Sequence, residues 1–229
     1  MRVVVLLLLL LSVAFAGRAQ TRLNTGLKRE LDSIYAVDQR WRVMLFDRRI
    51  SRRPDSLAAA LGVAKNNLQP YVIRRMMQTD SANLVRMRAI LKQHGYPGKT
   101  LVGEPTNEAA WAVIQHSDEI DRYLPLIKKA ASRGELPFFL YAQMLDRQLM
   151  RSGKPQLYGT QGMSYSRTNP VTGRREPQPP FIWPIKNAPA VNERRRKAGF
   201  STTMEQNATI LGIPYRVVTM DEVAKMPKE

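Results

Sequence analysis

Apolar residues recur every three or four positions along most of the chain, which is the spacing of helices that bury one face. The longest such run extends over residues 23–50 and predicts one amphipathic helix. Its polar face is expected to carry Asp32, Asp38, Gln39 and Arg42. The pattern therefore predicts a long helix whose charged side chains lie on the side away from the core.

Prolines and glycines divide the middle of the chain into shorter helices. Pro54 and Pro70 interrupt the helical pattern, while Gly95, Gly134 and Gly153 are suited to end helices because glycine readily adopts a left-handed backbone. The predicted helices cover residues 57–66, 71–78, 81–93, 106–116, 118–133, 137–150 and 191–198. Helices joined by short turns are expected to pack as neighbours.

The pattern changes after Gly153. Residues 156–166 and 181–183 are β-like, and residues 169–173 between them have the composition of a turn. Prolines in the same region are expected to confine it to an edge position, because proline cannot donate a backbone hydrogen bond. The sequence thus predicts a mainly α fold: a multi-helix single domain with a small β-hairpin or an extended arm near the C-terminus.

The first residues have the pattern of a targeting segment. A short basic start precedes an apolar run over residues 3–16, and small residues follow it. A membrane span needs about 18 or more apolar residues, so the pattern favours a signal peptide at residues 1–19 over an anchor. Cleavage is expected after Ala16 or Ala19. We expect residues 20–229 to form the mature domain, which would be periplasmic or secreted.

Composition excludes several classes of protein. The 229 residues include no cysteine, which removes disulfide scaffolds, thiolate nucleophiles and cysteine-based metal sites. Two histidines are too few for a catalytic site with three histidine ligands. Hydrophobic residues make up 44% of the chain, close to the globular average, so a wholly disordered chain is excluded as well. No cofactor and no bound metal are expected.

Several short motifs follow one another in a characteristic order. They are QHSD at residues 115–118, LPL at 124–126, LDR at 145–147 and GKPQLYGTQ at 153–161. Together they resemble the family known as domain of unknown function 6624, which is common in exported bacterial proteins. The resemblance covers roughly residues 84–200, although the acidic residues usual in the family are missing from residues 184–187. It implies a domain and an exported setting, but no activity, substrate or cofactor.

His116 is the first candidate for chemistry, because it stands at the predicted end of a helix with Asp118 just beyond it. A histidine oriented by a carboxylate is the usual general base, and Asp146 is a second carboxylate that could assist it. The alternative for His116 is a structural one, in which it caps the last carbonyls of its helix. For Asp146 the alternative is a buried ion pair with a group on a neighbouring helix, since buried charge needs a partner.

Seven further residues are candidates for a polar binding pocket around His116, because their side chains offer hydrogen bonds or an aromatic face. They are Trp111, Gln115, Arg147, Gln156, Tyr158, Thr160 and Gln161. The first hypothesis is a module that binds a polar ligand or an envelope partner. The second is a hydrolase-type enzyme with His116 as general acid and base. For the segment around Tyr158, a turn network that ties the arm to the helices remains an equal alternative.

The chain is strongly basic, with a formal net charge of +17. Residues 40–53 carry six arginines against Asp47, a net charge of +5, and residues 174–197 carry the same net charge. These spans are expected to be solvated surfaces or to contact anionic surfaces weakly. No nucleic acid partner is expected, because aromatic residues that could stack with bases are not interleaved with the basic ones.

Overall fold

The computed structural model describes residues 23–226, so the expected signal peptide lies outside the described residues. The helices of this part are α1 (Thr25–Phe46), α2 (Arg48–Ser51), α3 (Pro54–Leu61), α4 (Leu68–His94), α5 (Lys99–Val102), α6 (Ala109–Gln115), α7 (Ile120–Ser132), α8 (Phe138–Arg151), α9 (Val191–Lys197), α10 (Met204–Ile210) and α11 (Met220–Ala224). The strands are β1 (Gly162–Met163), β2 (Ser166–Thr168), β3 (Arg175–Pro177) and β4 (Phe181–Ile182). The fold is therefore mainly α, as the sequence predicted.

The long helices α1 and α4 pack against each other, and α6 packs against both. α7 and α8 form a second pair that joins the first through α6. The prediction of two separate helices over residues 71–93 is wrong, because α4 is continuous from Leu68 to His94. Pro70 does not break it, since it lies in the first turn, where the backbone N–H that proline lacks has no helical partner.

The first predicted helix is shorter than expected. α1 ends at Phe46, where Asp47 adopts an extended backbone, and the chain then makes the separate short helix α2. The prediction of one helix over residues 23–50 is therefore wrong in its last turn.

The main core lies where α1, α4, α6, α7 and α8 meet. Leu31, Met87, Ile114 and Ile127, which come from four of these helices, are each 0% exposed. Full burial of such a side chain contributes about 1.5–3 kcal/mol. Between residues 23 and 226 no helix is both long and apolar enough to cross a membrane.

The C-terminal region contains the predicted hairpin. β1 pairs with β4 and β2 with β3, both antiparallel, with Gly162 opposite Ile182. At the tip, the side-chain oxygen of Asn169 accepts hydrogen bonds from the backbone N–H groups of Val171 and Thr172, which is the turn that the sequence indicated. Paired segments of two or three residues are marginal by themselves, so the hairpin depends on what it packs against.

Two small apolar clusters hold the hairpin and the last helices together. One is formed by Ile182, Val191, Met204, Ala208 and Ile213, and the other by Phe181, Trp183 and Val218. The alternate side chains of β4 and the residue after it enter both clusters. One face of the hairpin is thus attached to α9 and α10, and the other packs against Val218 and the residues of α11.

Gly159 marks the closest approach within this region. Its φ angle is +70°, a left-handed conformation that side chains rarely adopt. A Cβ atom at this position would overlap the sulfur of Met204 and lie 2.9 Å from Cδ1 of Ile185. Glycine is therefore required twice at this position, by the backbone conformation and by packing.

We expect Gly159→Ala to destabilise the protein more than Gly153→Ala. Gly153 also has a positive φ, but no atom lies within 4 Å of the place that a Cβ would take, so its substitution carries the backbone cost alone, about 1–2 kcal/mol. Gly159→Ala adds the overlap with Met204, which typically costs about 1–3 kcal/mol more. Urea unfolding of both variants measures the difference, and equal stabilities would contradict the close packing.

Candidate functional site

A charged cluster lies between α1 and α4. Arg42 donates hydrogen bonds of 2.8 and 2.9 Å to the two carboxylate oxygens of Asp80, and its other nitrogen lies 3.1 Å from Asp38. Asp38 is only 1% exposed, so its predicted place on a solvated polar face is wrong. α4 covers this side of α1, and the sequence of α1 alone does not reveal which side a second helix will cover.

Asp38 is unusual because its carboxylate is held away from water. Burial raises its pKa to about 6; Asp80 adds to the rise, while the positive charge of Arg42 opposes it. Gln39 donates a hydrogen bond of 2.7 Å to its second oxygen. Because solvent does not reach the carboxylate of Asp38, a substrate cannot reach it either. We therefore infer that Asp38 holds Arg42 in place.

His116 is the first residue after α6, in agreement with its predicted place at a helix end. Burial, together with the positive charges of Arg42, Arg147 and Arg151, lowers the pKa of its imidazole to about 3. The ring is therefore neutral at pH 7. Within residues 23–226, no carboxylate forms a hydrogen bond or an ion pair with it. Every charge that shifts its pKa is positive.

Two arginines on α8 reach the same helix end. Arg147 donates a hydrogen bond of 3.3 Å to the backbone oxygen of Gln115, and Arg151 one of 2.9 Å to that of Ser117. Cations are favourable there because the last carbonyls of a helix carry partial negative charge. Burial lowers the pKa of Arg147, and the charges of Arg151 and Arg42 act in the same direction. In the described chain neither Arg147 nor Arg151 pairs with a carboxylate.

A groove of about 280 Å³ opens beside His116. Its one wall is formed by His116, Ser117 and Asp118, and the opposite wall by Asp80 and Met77 of α4. The structure thus brings the two predicted residues His116 and Asp118 to one concavity. We call His116, Arg147 and Arg151 the arginine cluster. His116 lines this groove, and the two arginines bind the neighbouring carbonyls of Gln115 and Ser117.

Asp146 is placed elsewhere, with 0% of its surface exposed. Its carboxylate accepts backbone hydrogen bonds from Leu157 (2.7 Å), Tyr158 (3.1 Å) and Thr160 (3.0 Å), and another from the Thr160 hydroxyl (3.0 Å). Burial raises its pKa, and these hydrogen bonds oppose the rise because they favour the charged form. Asp146 therefore fastens the loop after α8, and it is not among the residues that line the groove of His116.

The two predicted glutamines belong to the same internal network. Gln156 is 0% exposed and donates to the backbone oxygens of Gln161 (2.9 Å) and Trp183 (2.7 Å). Its amide oxygen accepts from the backbone N–H of Gln161 (2.9 Å), and the Gln161 side chain donates to the Thr160 hydroxyl (3.0 Å). These amides join the loop to the strand region, which is the turn-network alternative stated for this segment.

Arg195 completes this network and was not among the predicted site residues. It is 1% exposed and donates to the backbone oxygens of Tyr158 and Thr202, both at 2.8 Å, while its guanidinium stacks 4.4 Å from the centre of the Phe200 ring. Arg194 donates to the backbone oxygen of Leu157 at 2.9 Å. The expectation that residues 174–197 form a solvated face is therefore wrong for these two arginines, which hold carbonyls inside the protein.

The remaining predicted residues contribute to packing between helices. Trp111 on α6 donates a hydrogen bond of 2.7 Å to the backbone oxygen of Leu140 on α8. The Tyr158 ring lies 5.9 Å from that of Phe200, and Gln115 offers its backbone oxygen to Arg147. The predicted residues thus occupy three places: the groove, the loop network behind Asp146 and the contact between α6 and α8.

Some functional residues could have been found from the sequence and others could not. Arg147 lies on the predicted helix over residues 137–150, and Arg151 follows its predicted end by one residue. Their spacing of four would place them on one face if the helix extended by that residue, as α8 does. Asp80 and Arg42 are 38 residues apart, and no local pattern joins them. Among residues 23–226, no group of three histidine or acidic side chains is arranged to hold a metal ion.

Comparison with known families identifies the class of protein. The chain belongs to a family of unknown function, DUF6624, whose model matches residues 60–215. The match confirms the predicted family and extends the resemblance at both ends. It contains the groove residues His116 and Asp118 and the whole network around Asp146, whereas Arg42 lies before it. No curated protein and no solved structure matches the chain.

We expect Asp146→Asn to lower the stability of the fold by about 2–3 kcal/mol, because an amide nitrogen would face backbone donors that need an acceptor. Tyr158→Phe is the matched control, since the Tyr158 hydroxyl has no hydrogen bond to the described residues. Urea unfolding monitored by circular dichroism measures both variants. Wild-type stability of Asp146→Asn would show that the carboxylate does not hold the loop.

Proposed function

We propose that this protein is an exported binding module that takes the anionic group of a small polar ligand at the arginine cluster. The observation that carries the proposal is the environment of Arg147, which is half-buried, bonded to one backbone oxygen and close to further positive charge. A buried charge without a counter-charge is costly. A carboxylate or phosphate oxygen bound there would supply the missing partner.

The hydrogen-bonding capacity of the cluster supports the same ligand class. A guanidinium has five N–H donors in a planar arrangement that suits carboxylate and phosphate groups. Only one hydrogen bond of the Arg147 side chain is used within the described residues. A neutral imidazole adds one donor and one acceptor. An anion would therefore meet donors from Arg147, Arg151 and His116.

The acidic residues of the groove limit which anions would be accepted. Asp80 is neutralised by Arg42, but Asp118 is exposed and has no ion pair in the described part of the chain. Asp118 would repel a polyanion and accept hydrogen bonds from hydroxyl or ammonium groups. The groove volume of about 280 Å³ also favours a small ligand. Acidic sugars and amino acids combine an anionic group with such donors.

The geometry gives less support to the alternative of a hydrolase with His116 as general acid and base. A catalytic histidine works best with a pKa near the working pH and with a carboxylate that orients it. Burial and three arginines instead lower the pKa of His116 to about 3. Asp146, the carboxylate suggested as its partner, is occupied by the loop of residues 157–160.

Binding is tested with glucuronate and glucose, which differ in one carboxylate. At about 100 times its dissociation constant, a ligand stabilises the folded state by about 2.7 kcal/mol, which raises Tm by roughly 5–10 °C for a chain of this size. We expect glucuronate to produce such a shift and glucose to produce none. In NMR spectra, the same addition should raise the pKa of His116 from about 3, because bound negative charge favours imidazolium.

Arg147→Gln and Arg151→Gln should each abolish the shift caused by glucuronate. Lys128→Gln on α7 is the control, since it removes the same charge from an exposed position outside the cluster. Equal shifts with both sugars, or a shift that survives in both arginine variants, would reject the site.

Export is supported by the apolar run and small residues at the start of the sequence. Mass spectrometry of protein recovered from the cell envelope or the medium should find a chain that begins at Gly17 or Gln20. An intact N-terminus at Met1 in the recovered protein would contradict cleavage.

A further inference from the structure

A second surface feature lies at the corner where α1 turns through α2 into α3. Phe46, the last residue of α1, is 73% exposed, and Val43, three residues earlier on the same side of the helix, is 41% exposed. Neighbouring apolar side chains that are exposed together can mark an interaction surface. We call residues 43–57 the basic corner.

The charge of this corner is strongly positive. Residues 46–53 contain four arginines and the single acid Asp47, a net charge of +3. Asp47 is already bound by Arg49 at 2.7 Å. Arg52 and Arg53 are exposed and have no ion pair within residues 23–226. The corner therefore presents cationic side chains around an exposed aromatic ring.

A groove of about 410 Å³ lies at the same corner, and its lining includes Leu45, the residue before Phe46. Its walls include Met44 and Leu45 of α1, Leu57 of α3 and Leu68 and Val72 of α4. Its rim carries polar groups, among them Lys65. The corner thus offers an apolar depression and an apolar projection on the same stretch of chain as the exposed Arg52 and Arg53.

We propose that the basic corner docks onto the surface of an anionic lipid bilayer. Arginine and lysine side chains would lie at the level of the lipid phosphates, and the Phe46 ring would enter the acyl boundary beneath them. A second copy of the chain is a poorer occupant, because residues 43–57 carry a net charge of +2 and two such surfaces repel each other. Charge complementarity and the exposed ring together select the bilayer. This inference is independent of the proposed ligand site.

The experiment is flotation with vesicles of equal parts phosphatidylglycerol and phosphatidylcholine, compared with pure phosphatidylcholine. The protein is used in the form, processed or full-length, in which it accumulates in the producing cell. Wild type and all variants are compared in that same form. We expect binding to the anionic vesicles only. Arg52→Gln combined with Arg53→Gln should weaken it about 10- to 30-fold, at about 1 kcal/mol for each basic side chain.

Matched variants control for net charge and for exposed apolar area. Lys128→Gln combined with Lys129→Gln removes the same charge from exposed positions of α7 and should leave binding within about twofold of wild type, because these side chains lie outside the corner. Phe46→Ser should weaken binding at least about fivefold, since it removes the inserted ring. Ile210→Ser, at a residue that is 72% exposed, should not.

A direct readout of contact is the quenching of tryptophan by lipids with brominated acyl chains. Tryptophan at position 46, in Phe46→Trp, should be quenched more strongly than tryptophan at position 210, in Ile210→Trp. Equal quenching, or equal binding by the Phe46→Ser and Ile210→Ser variants, would overturn the proposal. If the free protein dimerises and Phe46→Ser abolishes the dimer, the corner serves self-association, and this result too would overturn the proposal.

Discussion

The C-terminal hairpin region is joined to the helical frame chiefly by the hydrogen bonds of the Asp146 carboxylate. It lies on α8 of the helical frame and binds the backbone of the loop that leads into the hairpin. The strands beyond that loop are two or three residues long and could not persist as an isolated sheet. The small clusters around Ile182 and Trp183 add apolar contact. The path of the loop into the hairpin is fixed by its hydrogen bonds to Asp146.

The same helix also serves the candidate ligand site. Asp146 and Arg147 are adjacent in sequence, and consecutive side chains of a helix point about 100° apart. One of them therefore faces the buried loop while the other faces the end of α6 and His116. A single helix can in this way hold the C-terminal region and place a cation at the end of α6. Because Arg147 and Asp146 are neighbours on α8, a change in the loop network around Asp146 is expected to affect the position of Arg147.

The arginines that contribute to the high net charge have several different roles, which the net charge by itself does not distinguish. Arg195 and Arg194 satisfy backbone carbonyls inside the C-terminal region, and Arg42 is held between two carboxylates. Arg147 and Arg151 cover the end of α6, whereas Arg52 and Arg53 face solvent. An arginine can stabilise a carbonyl cluster because its planar group donates several hydrogen bonds at once. Of these four groups of arginines, the last two have no carboxylate partner among residues 23–226.

Local pattern was sufficient for much of the fold. The period of apolar residues predicted a mainly helical chain, and the NPVTG segment predicted the hairpin turn, since both depend on neighbours within a few positions. The family was readable because its motifs are short and ordered. His116 was correctly placed at a helix end, and the sequence alone determined that no cysteine chemistry is available.

Tertiary structure decided what each polar residue does. Asp38 is a polar position on an amphipathic helix, but α4 covers it, and Arg42 meets an acid 38 residues away. Asp146 binds a loop instead of orienting His116, because the chain after α8 folds back over it. Pro70 is accommodated within α4 because it falls in the first turn. Sequence periodicity determines which residues share a face of a helix. What that face contacts depends on how distant segments of the chain pack, and these contacts determine which residues form the site.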